Sequence, residues 1–345
     1  MKKFLLGSTM MLIASVLMAQ NLRENEAVVV YYMPKTEFAI QMQYTVTTQT
    51  PGVFYQYAKR YLGAEQIITK ASTQYSLDGI QISATTSADI DRAYQVPATK
   101  GWQTQLLSLT EDGRLLGYNI EANLPEPPVQ VVNSSKHTVA STDVLPLLEE
   151  QFIAGTTAKM AEGAAKQIYR IREMRLNLLA GEVEHVPADG MAMQLVLDEL
   201  NKREAELISL FVGTTTISSG LHTIHYTPQR SAKQEILCRF SQHTGVVDSN
   251  DLSGTPIYIT LNTTKPTVEE SEVPSSKTPL LSPIYYNLPA HTKIMVEYNG
   301  QHMCKASLPV AQFGVAVPLS IDLFSSKPTP SIHINPTTGN IQSIK

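Results

Sequence analysis

Glu37-Phe38-Ala39-Ile40-Gln41-Met42-Gln43-Tyr44-Thr45-Val46-Thr47 is the stretch on which the fold turns. Phe38, Ile40, Met42, Tyr44 and Val46 point one way, and Glu37, Gln41, Gln43, Thr45 and Thr47 point the other. A period of two with one apolar and one polar row predicts a half-buried strand. A wet second face belongs to an antiparallel sheet, because parallel sheets are covered on both sides.

Reading outward, Ala27–Tyr32 is a second strand, set off by a break at Met33-Pro34. Downstream, Thr50-Pro51-Gly52 opens a short helix over 51–62, since proline suits a first helical turn. Phe54, Tyr57, Ala58 and Tyr61 follow at helical spacing, and Gly63 is placed to cap them. Leu77-Asp78-Gly79 and Glu111-Asp112-Gly113 sit between β-like runs and read as hairpin turns. Residues 20–120 are therefore expected to form an N-terminal β-rich domain with one small helix.

Residues 121–142, with Pro125, Pro127 and Pro128, read as a linker. Residues 143–212 read as a helical hairpin. Met160, Ala164, Ile168, Ile171, Met174 and Leu178 form one stripe. Met193, Leu197, Leu200, Leu207 and Phe211 form the other, and Glu204 falls on it, predicting a wet or salt-bridged spot. Gly181 stops the first helix and Asp189 caps the second. Residues 213–345 return to strands, with a linker over 263–279 and a hairpin at Asn299-Gly300. The expected fold class is α+β, mostly β: two antiparallel β-rich, sandwich-like domains with an inserted antiparallel helical hairpin.

Composition narrows the function classes. Of 345 residues, 43% are hydrophobic and 17% charged, which supports a buried core. Residues 20–345 exceed the size at which single cores stop growing, so at least two domains are expected. The chain carries 27 basic and 31 acidic residues without a basic stripe, which weighs against nucleic acid. The start of the chain reads as an export signal. Lys2 and Lys3 precede an apolar stretch from Phe4 to Met18, and cleavage is expected after Ala19. The apolar part is too short for a membrane span, and the cut is followed by Gln20 where a lipid-anchored protein needs cysteine. The expected address is the periplasm, with outer-membrane association or secretion as alternatives.

Cys238 and Cys304 are the two cysteines. Export permits a disulfide between them, worth roughly 4 kcal/mol in the chain-entropy model. The other reading is a pair of buried thiols, because Cys238 shares its strand face with Ile236 and Phe240.

The local motifs of hydrolase elbows, zinc helices, phosphate loops and dinucleotide sites do not occur. His222, His225 and His243 are metal-type residues, but an odd separation on a strand sends the first two to opposite faces. Asp248–Gly254 has calcium-loop flavour but places Leu252 and Ile259 where ligands belong, so a solvated turn is the reading. Glu182, Glu184, His185 and Asp189 read as a wet loop. The expectation is no metal and no cofactor. Fifteen tyrosines stand against a single tryptophan, Trp102. Adjacent pairs Tyr31-Tyr32 and Tyr285-Tyr286 are the candidate binding residues, since one ring of each pair faces out of a strand and can stack on a sugar or fill a partner's pocket. The alternative is that these rings cover a sheet edge or linker. His333–Ile341 reads as a hairpin turn.

Several short segments in order resemble an uncharacterised family of exported Bacteroidetes proteins known as a domain of unknown function. They are Tyr31–Thr36, Pro51-Gly52 through Tyr57-Ala58 to Tyr61-Leu62-Gly63, Leu210–Gly213, Tyr285–Ala290 and Ala311–Gly314. The chain departs from that pattern at Asn287, where the family is associated with arginine. The resemblance implies an envelope location and supplies no catalytic residues. The functional expectation is a non-catalytic envelope protein binding a protein or polymer partner. A hydrolase acting on an envelope or dietary polymer, and a structural subunit of an envelope assembly, are the alternatives.

Overall fold

The computed structural model describes residues 28–97, 106–120, 155–182, 189–267, 284–320, 322–325 and 329–345. Its spine is the quoted stretch, extended in both directions into one 23-residue strand, β1 (Val28–Thr50). At about 3.3 Å per residue it runs roughly 75 Å. β2 (Ser72–Pro97) returns antiparallel beside it, from Gln49↔Ser72 to Val28↔Pro97. The chain reverses through a 3₁₀ turn (Tyr55–Tyr57) and α1 (Ala58–Leu62), which Gly63 closes in the left-handed conformation.

Two expected interruptions turn out to lie inside strands. Pro34 pairs with Ala88 within β1. On its other side β1 is joined by β5 (Thr214–Tyr226), but only from Phe38 onward. A missing N–H at Pro34 therefore removes no ladder bond on that side. Leu77-Asp78-Gly79 is a bulge and not a reversal: Tyr44 pairs with Leu77 and Gln43 with Gly79, leaving Asp78 as the extra residue. Its carboxylate accepts from the Thr45 hydroxyl at 2.7 Å. The apolar pattern demands it, because Tyr75 and Leu77 share the core with Ile80, Ile82 and Ala84. The parity of the inward residues slips by one, and one extra residue absorbs that slip.

β5, β1 and β2 form a three-stranded sheet in the order β2-β1-β5. Facing it is a five-stranded sheet of β6 (Ala232–Ser241), β7 (Gly245–Val247), β8 (Thr255–Thr264), β9 (Tyr285–Tyr298) and β10 (Gln301–Pro318), in the order β10-β9-β8-β6-β7. Between them lies the first core, built from Phe38, Ile40, Met42 and Ile80 on one side and Phe240, Ile257, Ile259, Leu261, Ile294 and Val296 on the other. This gives the mostly β, sandwich-like fold expected from the alternation.

A third sheet, β12-β11-β4-β3, joins β3 (Leu107–Leu109) and β4 (Leu115–Tyr118) to β11 (Ile332–Ile334) and β12 (Ile341–Ile344). It covers a second core around Tyr31, Met33, Val96, Leu115, Tyr118, Leu319 and Ile332. The short helix α4 (Asp322–Ser325) lies at its border, where Phe324 meets Tyr118 edge to face at 5.0 Å.

The third core belongs to the helical hairpin, α2 (Thr157–Ala180) and α3 (Gly190–Val212), and to Phe54 and Ala58 of the β1–β2 connection. Gly181 ends α2 and the Asp189 carboxylate caps α3, accepting from Ala192 N–H at 2.7 Å. Glu204 is buried on the apolar stripe of α3. Arg172 and Arg175 of α2 each donate to it at 2.6 Å. Burial opposes its ionisation, but the two guanidinium bonds prevail and hold its carboxyl below the ordinary glutamate range.

Cys238 and Cys304 are free thiols. They lie on β6 and β10, with β8 and β9 between them. Neighbouring strands are about 4.8 Å apart, so three steps separate the two strands by roughly 14 Å along the sheet, well beyond the ~7 Å between α-carbons that a bridge spans. Burial pushes the Cys238 thiol up to about 12, and its sulfur lies 3.7 Å from that of Met42. The expected linker at 121–142 lies outside the described residues. Of that expected at 263–279, Thr263 and Thr264 belong to β8, and everything beyond residue 267 lies outside them too.

Candidate functional site

The segments singled out in the sequence come together at two joints. At the lower joint the Phe54 amide donates to the Leu210 carbonyl at 2.7 Å, and the Phe54 and Phe211 rings meet at 5.5 Å. A β-carbon on Gly52 would lie 2.3 Å from that same carbonyl, so only glycine lets the β1–β2 connection lie against the end of α3.

At the upper joint Tyr31, Tyr94 and Tyr285 form a stack. Tyr31 and Tyr94 are 5.6 Å apart, and Tyr94 and Tyr285 are 4.9 Å apart. The Tyr31 hydroxyl accepts from the Tyr285 amide at 2.7 Å and donates to the Tyr285 carbonyl at 3.2 Å. It thus serves as a strand partner for β9. Burial raises the Tyr31 hydroxyl well above the ordinary phenol value, and raises Tyr94 as well. Both phenols stay protonated at physiological pH.

Four residues beyond Tyr32 along β1, Gln312 acts in the same way. Its Oε1 accepts from the Thr36 amide at 2.8 Å, and its Nε2 donates to the Thr36 and Pro228 carbonyls at 2.8 and 3.0 Å. The buried Thr36 hydroxyl accepts from the Ala311 amide at 3.0 Å. Gln312 reaches β1 because β10 loops out between Val310 and Val315. Gly314 allows that loop, since a β-carbon there would lie 2.2 Å from the Leu288 carbonyl. Asn287, fully buried, ties the same place together. Its Nδ2 donates to the Ala311 and Thr338 carbonyls at 3.0 and 2.8 Å. Its Oδ1 is buried without a hydrogen-bond partner among the described residues.

The four candidate tyrosines are therefore placed as follows. Tyr31 is fully buried, and Tyr32, Tyr285 and Tyr286 are half-buried. Tyr31 and Tyr285 are brought together by Tyr94. Tyr32 instead donates its amide to Gly113 at 2.9 Å, and Tyr286 lines the core of the third sheet. Tyr94 joins Tyr31 and Tyr285 from β2, where its alternation with Val96 is the signal in the sequence that turns both side chains toward the second core.

The remaining sequence candidates are dispersed. His222 lies opposite Met42 and His225 opposite Ala39, on opposite faces of β5. His225 faces Glu37 at 3.5 Å. Asp248 and Asp251 accept from amides of Asn250 and Ser253, in a turn braced by Arg239 bonds to the Ser249 and Gly254 carbonyls. Glu184 and His185 lie outside the described residues. A groove of about 650 Å³ opens beside the start of β5, where Gln49, Gln66, Thr69, Lys70, Ser72 and Thr215 present amides, hydroxyls and one ammonium.

Two surfaces are unlike the rest. Six apolar side chains are exposed over the last two turns of α2 and the first two of α3: Met174, Leu176, Leu179, Met191, Leu195 and Val196. The other surface is β5, most of whose 13 residues are exposed.

A family model described as Domain of unknown function (DUF4831) matches residues 27–342, and the chain belongs to that family. No curated protein and no solved structure matches it. Among the described residues no helix is long and apolar enough to cross a membrane.

Proposed function

We propose that this chain is exported to the cell envelope of a Bacteroidetes bacterium, by the leader that ends at Ala19, and acts there as a non-catalytic protein that binds another protein. The observation that carries this reading is the apolar end of the helical hairpin. Leu176, Leu179, Met191 and Leu195 are 66%, 63%, 86% and 71% exposed, at the end of the hairpin far from its own core around Phe54 and Phe211. Apolar groups gathered at an exposed point mark a surface that another protein covers. The Glu204 network supports the same reading, because it fixes α2 against α3 and holds that end as a rigid platform.

Fractionation of cells making the full chain, with N-terminal sequencing, tests the address; a product beginning at Gln20 outside the cytoplasm is expected. A pull-down from solubilised envelopes tests the surface. The unaltered protein is expected to retain a partner that Leu179→Glu/Leu195→Glu loses. Recovery of the same proteins by both, or of the protein alone by both, removes the reading.

A further inference from the structure

We propose that two copies of this chain join edge to edge through β5, antiparallel about a two-fold axis at Ser219, making one six-stranded sheet. This inference goes beyond the partner proposed above and uses a different surface, so each stands or fails by itself.

β5 pairs with β1 over 13 consecutive residues without a register shift. Among the described residues β1 is its only strand neighbour. The far side of β5 therefore presents the backbone N–H and C=O groups of every second residue. Sheet proteins normally guard such an edge by shortness, a bulge, a proline or a charge. Thr214-Thr215-Thr216-Ile217-Ser218-Ser219-Gly220-Leu221-His222-Thr223-Ile224-His225-Tyr226 is long and unbulged, and contains no proline, lysine, arginine, aspartate or glutamate. An unguarded edge of this kind is a template for another strand.

The pattern of side chains points to a second copy as that strand. Ile217 and Leu221 lie opposite Thr47 and Gln43 of β1, so both sit on the sheet face turned away from the core. They are 71% and 43% exposed. They are also symmetric about Ser219. Antiparallel pairing centred there sets Ile217 of each copy against Leu221 of the other, and Thr215 against Thr223. Apolar and threonine pairs directly across a ladder are favourable, and each is made twice in the dimer. An edge without charge meets its own copy without like-charge repulsion.

Sedimentation velocity on the mature chain over a concentration series tests this. The unaltered protein is expected to be dimeric. Ile217→Lys/Leu221→Lys sets lysine against lysine in both pairs and is expected to raise the dissociation midpoint by about tenfold or more. Ile217→Glu/Leu221→Lys sets glutamate against lysine in both pairs and is expected to restore the dimer. Should these variants fail to fold, Ser219→Cys reads the same register: mild oxidation is expected to give a covalent dimer that the unaltered chain does not form. A monomer at every concentration, a dimer indifferent to the lysine pair, or a dimer that Ser219→Cys fails to cross-link would each overturn the proposal.

Discussion

β2 and β5 are the two edges of one sheet, on either side of the same strand, and they are treated in opposite ways. β2 carries Asp78, Asp89, Asp91 and Arg92, and its ladder with β1 shifts register twice. It is also covered: the Tyr75 amide donates to the Gln242 carbonyl at 2.8 Å, and its side chains help close the core against β10. β5 has none of these protections. Where β5 stops at Phe38 the free side of β1 is guarded once more, now by the Gln312 side chain on Thr36. Within this sheet, among the described residues, the long edge without charge, bulge or cover is thus β5. An edge left open in a sheet otherwise closed with care marks the place where something else pairs.

Substitutions test that contrast, and the largest effect is expected where the guard is deepest. Gln312→Ala leaves the buried N–H and C=O of Thr36 without partners, and should lower unfolding free energy by about 3 kcal/mol in a denaturant titration. A loss below about 1 kcal/mol would mean that β1 does not depend on this guard. On the covered edge, Tyr75→Ala removes a ring that packs against Tyr44 and Gly245, and should cost about 2 kcal/mol. The helical hairpin, away from both edges, gives a third measure. Glu204→Gln weakens two charge-assisted bonds and should cost about 1.5 kcal/mol near neutral pH. Because the folded-state carboxyl of Glu204 lies below its unfolded value, its stabilisation is present above the ordinary glutamate range and disappears as pH falls through the lowered value. Helical circular dichroism of the unaltered protein should therefore soften on acidification more than that of the Glu204→Gln variant. The smallest effect belongs to the open edge: Ile217→Ala, matched in kind to Tyr75→Ala, should move monomer stability by less than about 0.5 kcal/mol. Equal losses at Tyr75 and Ile217 would erase the distinction between the two edges.

Much of this architecture was legible locally. The alternation at 37–47 marked the central strand and its dry face, since side-chain direction in a strand depends only on parity. Gly63, Gly181, Asp189 and the Asn299-Gly300 turn marked where elements end, because capping and tight turns are settled within a few residues. Glu204 on an apolar stripe announced an ion pair without naming Arg172 or Arg175. Even the bulge at Asp78 left a trace, in the shift of apolar parity between Leu77 and Ile80. Pro34 does not end β1 because a proline costs a ladder bond only where its nitrogen faces a partner strand, and here it faces the side that β5 does not reach.

What the chain could not disclose by itself is which distant segments meet. Tyr31 and Tyr285 are 254 positions apart, and Thr36 and Gln312 are 276. Nothing within either segment names the other, because which segments meet depends on how the strands between them pair and not on local sequence. The same holds for the three cores, two of which combine strands from both ends of the chain. It holds equally for the separation of Cys238 from Cys304 and for the openness of β5. The residues of 214–226 show that the strand is uncharged, but only its place at the rim of the sheet leaves one side of its backbone without a strand partner among the described residues.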